Sequence, residues 1–119
     1  MNRRSVFMRG FTLIELLVVV AIITLLASIV VPNYLSQLEK SKIAKAQADI
    51  ILLRKSVDLF RANNSGTLPD SLAVLVSQKY LSKEVPADPW GGSYGYTTTE
   101  NSYTIIDGSS KGISETISF

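Results

Sequence analysis

Phe11-Thr12-Leu13-Ile14-Glu15-Leu16-Leu17-Val18-Val19-Val20 opens a run that continues to Val31 as AIITLLASIVV, 21 residues with a single charge, Glu15. As a helix rising 1.5 Å per residue the run is roughly 31 Å long, the thickness of a bilayer's hydrocarbon. An ionised carboxylate there costs about 3 kcal/mol even on lenient insertion scales, so a chain that keeps one calls for a partner for it. The plain alternative is a side chain that snorkels to the interface.

On the N-terminal side lies MNRRSVFMRG, with Arg3, Arg4 and Arg9. A secretory signal has the same charge order, but a shorter apolar region with a small-residue cleavage site after it. Here the apolar region is longer, and the small residue, Gly10, stands in front. Arginines on this flank orient it to the cytoplasm. By hydropathy alone the segment reads as an N-in, C-out anchor. The formal charge of +2 belongs to this leader: without its three arginines the chain carries nine basic against ten acidic residues. Nucleic-acid binding therefore has no basic surface to rest on.

On the C-terminal side Pro32 follows the run at once. Proline removes a helical hydrogen bond and clashes with the preceding turn. Either a helix ends here, or one long helix continues through a kink or a locally melted stretch, with Ser28 and Thr24 bonding carbonyls freed by the irregularity. Beyond it Leu35 and Leu38 begin a new pattern, and Ile43, Ala46, Ile50, Leu53, Val57 and Phe60 recur at spacings of three and four. That is an amphipathic helix. Lys40, Lys42, Lys45, Asp49, Arg54, Lys55, Asp58 and Arg61 fall off the stripe and read as a solvated face. Asn63-Asn64-Ser65-Gly66 stops the helix near Ala62.

The string Gly10-Phe11-Thr12-Leu13-Ile14-Glu15-Leu16-Leu17-Val18-Val19 resembles the prepilin leader and N-methylation motif of type IV pilins and type II secretion pseudopilins. The resemblance implies an α+β fold: a long N-terminal α-helix, membrane-spanning in its first half and kinked near Pro32, packed against a short helix and a small antiparallel β-sheet. It implies three parts: leader 1–10, transmembrane and filament-core segment 11–33, and periplasmic globular domain 34–119. It implies cleavage by a prepilin peptidase between Gly10 and Phe11, N-methylation of Phe11, and a role for Glu15 in assembly. The physical reading agrees. Cleavage creates a cationic amine at Phe11, four residues from Glu15, where an internal pair is within reach. In a filament the amine of an incoming subunit can instead meet Glu15 of its neighbour and set the register of packing, as one polar residue does in a coiled coil.

Leu68-Pro69-Asp70-Ser71 opens a second short helix, capped by Asp70 or Ser71, with Leu72, Leu75 and Val76 apolar, ending by Leu81. Val85 to Gly92 is irregular, with two prolines and two glycines. Trp90, the single tryptophan, reads as a core plug against the long helix. Three strands follow over 93–98, 102–107 and 113–119, with turns at Glu100-Asn101 and over 107–112. Their short connections make the sheet antiparallel, and the stripe from Ile43 to Phe60 is the surface it covers.

Asp88-Pro89-Trp90-Gly91-Gly92-Ser93-Tyr94-Gly95-Tyr96 resembles the DPWG segment of the major pseudopilins of type II secretion. That implies a structural subunit of a homo-oligomeric pseudopilus that supports protein export across the outer membrane. Its implied partners are minor pseudopilins, the prepilin peptidase, an inner-membrane platform protein and a secretion ATPase. Its implied location is the bacterial inner membrane, single-pass, with the N-terminus cytoplasmic and the C-terminal domain periplasmic, then a periplasmic filament. The same family often binds calcium in a C-terminal loop. Asp107-Gly108 resembles the start of that loop, although the family's later aspartate is absent and Ser114 and Glu115 stand near its place. Asp107 is thus the candidate metal ligand, and a plain turn is the alternative.

Two rivals remain: a type IV pilin for adhesion, motility or DNA uptake, and a membrane-anchored binding domain that never polymerises. An enzyme has least support. With no His and no Cys, the triads, thiolate chemistry and HExxH zinc sites are absent, and no phosphate-binding glycine loop occurs.

Overall fold

The computed structural model describes residues 9–109 and 111–119. The leader residues Met1 to Met8, with Arg3 and Arg4, lie outside the described residues. The elements run α1 (Leu13–Asn63), α2 (Leu72–Ser77), β1 (Gly95–Thr99), β2 (Ser102–Ile106) and β3 (Ser114–Ser118), an α+β fold. The chain divides into two compact units, one up to Gln37 and one from Leu38 to Phe119.

In the first unit, helix α1 passes Pro32 without interruption. The proline neither ends the helix nor melts a turn. The expected hydroxyl bonds form, but to other carbonyls: Thr24 Oγ1 donates to Val20 (2.8 Å) and Ser28 Oγ to Leu25 (2.6 Å). The carbonyl that Pro32 leaves without its helical N–H is that of Ser28. The neighbouring amide of Asn33 reaches the Ile29 carbonyl at 3.1 Å.

In the second unit the periodic stripe does what its spacing implies. Ala46, Ile50, Leu53, Val57 and Phe60 are buried. They form one core with Leu72, Leu75, Leu81, Tyr94, Tyr103 and Ile105, except that Ala46 lies beside it. Helix α1 ends at Asn63 through two left-handed residues, Ser65 (φ 55°) and Gly66 (φ 86°), which return the Gly66 N–H to the Arg61 carbonyl at 2.9 Å. That closure satisfies a carbonyl the helix would otherwise leave open. Helix α2 is shorter than its sequence suggested, six residues ending at Ser77. Ser71 occupies the cap position, yet its side chain makes no capping bond. Lys79, with φ 62°, has already left the helix.

The sheet is antiparallel in the order β1-β2-β3. β2 and β3 are trimmed relative to their expected spans, while β1 starts two residues later than expected and ends one residue later. On β2 the alternation puts Tyr103 and Ile105 inward, while Ile106, 43% exposed, faces out. Tyr96 lies opposite Ile105, and Ile117 opposite Tyr103, so both edges add to the same inner face. The outer face carries threonines, with Thr104 and Thr116 hydroxyls 2.9 Å apart across the β2–β3 pair.

Two tyrosines fasten this layer to α1. The Tyr94 hydroxyl donates to Asp49 Oδ2 at 2.9 Å, and the Tyr103 hydroxyl to Asp58 Oδ1 at 2.7 Å. Asp49 and Asp58 are therefore acceptors for buried phenols as well as members of a solvated face. Burial, with the adjacent aspartates, pushes both phenols above their ordinary value of 10. Burial and then Asp70 push Tyr96 up to about 12. A folded chain that holds these protons longer than the unfolded chain loses stability as pH rises past 10, and keeps it in full below. Thermal melting in detergent should therefore show Tm level up to about pH 10 and falling beyond it. Tyr103→Phe should flatten that alkaline fall, at the cost of about 1 kcal/mol for the lost hydrogen bond at neutral pH. An unchanged alkaline slope in the variant would contradict the assignment.

Candidate functional site

The candidate site of the first unit is the entry to α1. Thr12 immediately precedes the helix and Glu15 is its third residue. The Thr12 main-chain N–H donates to Glu15 Oε2 at 3.1 Å, and the Glu15 N–H donates to Thr12 Oγ1 at 3.3 Å. This reciprocal pair is a capping box: each side chain satisfies an amide that the first turn leaves without a helical partner. The acid also stands at the positive end of the helix dipole. The local sequence signal for this box is the T-x-x-E spacing of Thr12 and Glu15.

Upstream of the cap, Gly10 and Phe11 have no regular secondary structure, and Phe11 is 93% exposed. A side chain added at Gly10 would meet nothing within 4 Å among the described residues, and its φ is not in the left-handed range. Packing among the described residues therefore gives no reason for glycine here. From Arg9 to Leu38 every residue is exposed. An 18-residue window of α1 reaches a mean hydropathy of 2.9 with none of it buried. Burying a Leu, Ile or Val is worth about 1.5–3 kcal/mol each, so this surface is stable only in lipid or against other apolar surface.

In the second unit the DPWG turn is built on Asp88. Its Oδ1 accepts the Trp90 N–H at 2.8 Å, its carbonyl accepts the Gly91 N–H at 3.0 Å, and its own N–H donates to the Gly92 carbonyl at 3.1 Å. Gly91 takes φ 90°, which only glycine adopts freely. This arrangement corrects the reading of Trp90 as a core plug. It is half-buried, lies outside the core cluster, and points its indole N–H at both Glu39 oxygens, 3.3 and 3.4 Å away. A tryptophan keeps its N–H satisfied, and a carboxylate on α1 supplies the acceptor.

Glu39 also receives Lys111, whose Nζ lies 2.8 Å from Oε1. The Lys111 hydrogen bond is the main influence lowering the Glu39 carboxyl below its usual range; desolvation opposes it and the Trp90 indole adds to it. Lys111 belongs to the β2–β3 loop, where Asp107 is buried. Asp107 Oδ1 accepts the Ile113 N–H at 3.1 Å, and Oδ2 accepts the Ser109 hydroxyl. The Ser109 oxygen in turn accepts the Lys111 N–H at 3.2 Å, and the Asp107 N–H donates to the Ile113 carbonyl at 2.9 Å. Neither Glu39 nor Lys111 stood out in the sequence, because a pairing between positions this far apart has no local signature.

An exposed Gly–Phe junction, a capped apolar helix with one acid in its first turn, and a separate helix-and-sheet unit define a pilin-like class of protein. The comparisons with known proteins agree. The model for the prokaryotic N-terminal methylation motif matches residues 8–31, and that for type II secretion system (T2SS), protein G matches residues 33–116. The chain belongs to the type II secretion system protein G family. It is similar to the type II secretion system core protein G of Escherichia coli (strain K12), 39% identical over 101 residues covering 72% of this chain and 69% of that one. It is also similar to the core protein G of Vibrio cholerae, 38% identical over 110 residues covering 81% and 75%, and to that of Pseudomonas aeruginosa, 34% identical over 111 residues covering 81% and 76%. No solved structure matches the chain.

Proposed function

We infer that this chain is a structural subunit of the type II secretion pseudopilus, the major pseudopilin, which polymerises into a filament that supports protein export. The family match over residues 33–116 carries this reading. The precursor sits once across the inner membrane, with its arginine flank cytoplasmic and the helix-and-sheet unit periplasmic. Prepilin peptidase cuts between Gly10 and Phe11 and the new amine of Phe11 is methylated. The support is local: the junction is exposed, it precedes the helix, and glycine there meets no packing demand among the described residues. The peptidase is the partner that would require it.

In the filament the apolar residues from Phe11 to Val31 leave lipid for the helices of neighbouring subunits. Glu15 then meets the amine of another subunit, and Pro32 is the place where α1 bends to allow the packing. Minor pseudopilins join the same structure, while a platform protein and a cytoplasmic ATPase act on it from the membrane. The subunit is no enzyme: it contributes surface and register, and the work of extraction is done by its partners.

Intact mass of the mature protein tests the processing step. The expected species lacks residues 1–10 and carries one added methyl group. An uncut chain in cells that contain the peptidase would overturn the proposal. Deleting the gene should abolish protein secretion and leave twitching motility intact; the reverse result would favour a type IV pilus.

A further inference from the structure

The family resemblance implies calcium in the β2–β3 loop, and the donor set of this loop does not fit one. Calcium takes six to eight oxygen ligands. From Asp107 to Ile113 the sequence offers one carboxylate, and both of its oxygens already accept protein hydrogens, from Ile113 N–H and the Ser109 hydroxyl. The Ser109 oxygen is itself engaged by the Lys111 N–H. The loop also carries its own cation, Lys111, which bridges to Glu39 on α1. Among the described residues no three His, Cys, Asp or Glu side chains gather where they could hold a metal.

We propose that this pseudopilin closes its β2–β3 loop without metal, using Asp107 as an internal hydrogen-bond acceptor and the Lys111–Glu39 bridge as the tether to α1. Among the described residues the loop has three closures. A single main-chain bond, from the Asp107 N–H to the Ile113 carbonyl, draws its ends together. The buried Asp107 carboxylate holds the inside of the turn through Ile113 and Ser109. Lys111 holds the outside, sharing Glu39 with the Trp90 indole, so one carboxylate on α1 fastens both this loop and the DPWG turn. The tether is half exposed and on its own contributes little, as surface pairs do. The buried carboxylate is the larger part, because removing it strands an amide and a hydroxyl inside the loop.

This inference is independent of filament assembly, since it concerns folding of the subunit alone. The test is thermal melting of the full-length chain in detergent, with millimolar calcium chloride and with chelator, for the native chain, Asp107→Asn and Asp107→Ala. Asparagine keeps an oxygen for the Ile113 N–H, and its amide can donate to the Ser109 oxygen. It therefore replaces the hydrogen bonds but is a poor substitute for a charged calcium ligand. The expected result is one Tm for the native chain in both buffers, a small fall for Asp107→Asn and a much larger one for Asp107→Ala. A Tm that rises with calcium overturns the proposal, and so does an Asp107→Asn variant as damaged as Asp107→Ala. If the alanine variant fails to fold, the calcium response of the native chain and of Asp107→Asn still decides.

Discussion

Glu15→Gln should leave the precursor cut and methylated while lowering filament yield by at least about tenfold. The substitution separates the capping role that the structure shows from the assembly role proposed for the same side chain. Glutamine can still accept the Thr12 N–H, so the capping box and the start of α1 survive. It cannot neutralise an amine. Leaving that charge buried without a partner costs about 3–5 kcal/mol, well over the 1.4 kcal/mol that a tenfold loss requires. Thr12→Val makes the complementary change. It removes the hydroxyl that accepts the Glu15 N–H, for about 1 kcal/mol of helix stability, and leaves the carboxylate in place. Yield should therefore fall far more for Glu15→Gln than for Thr12→Val, and Glu15→Ala should be no better than Glu15→Gln. Sheared-filament immunoblots alongside intact mass measure both halves. Native yield from Glu15→Gln would reduce Glu15 to a helix cap.

The parts of the fold that were legible are those carried by repetition. Residues 43 to 60 repeat an apolar position at helical spacing, and burial follows that stripe residue by residue from Ala46 onward. The strands were legible through alternation, but their ends were not, because Ser93 and Tyr94 belong to the irregular connection before β1. The candidate site divides in the same way. Gly10, Phe11 and Glu15 announce themselves because a charge in an apolar run and a glycine before it are locally anomalous. The bonds that fasten the second unit are pairings across long stretches of chain: Tyr94 with Asp49, Tyr103 with Asp58, Trp90 and Lys111 with Glu39. Each partner alone looks like an ordinary surface charge or core aromatic. Only the fold makes Asp49 and Asp58 the acceptors for two phenols on the other side of the core.

Gly108→Ala should be the most damaging single-methyl change in the second unit. Asp107-Gly108 reads from the sequence as a plain turn or as the start of an ion-binding loop, and neither reading says why the second residue is glycine. The structure assigns it to space. Gly108 is not in the left-handed region, so alanine carries no conformational penalty there. Its methyl would instead fall against the main chain of Ser93: the carbonyl oxygen first, then the nitrogen at 2.9 Å and the carbon at 3.2 Å. Side chains can turn away from an intruding methyl, but these are backbone atoms, and both segments are held. Residue 93 is bridged to Ala87 across the DPWG turn, and residue 107 is bonded to Ile113. Overpacking costs about 1–3 kcal/mol where side chains can move, so about 3 kcal/mol or more is expected here. For a domain of this size that lowers Tm by roughly 12 °C or more. Gly112→Ala is the contrasting control. It meets nothing within 4 Å among the described residues and suffers for its positive φ of 71°, a cost of about 1 kcal/mol. Melting both variants in one detergent buffer ranks them. A Gly108→Ala protein as stable as Gly112→Ala would show that the β2–β3 loop does not press on the Ser93 backbone, and the close packing of that loop on the DPWG turn would have to be abandoned.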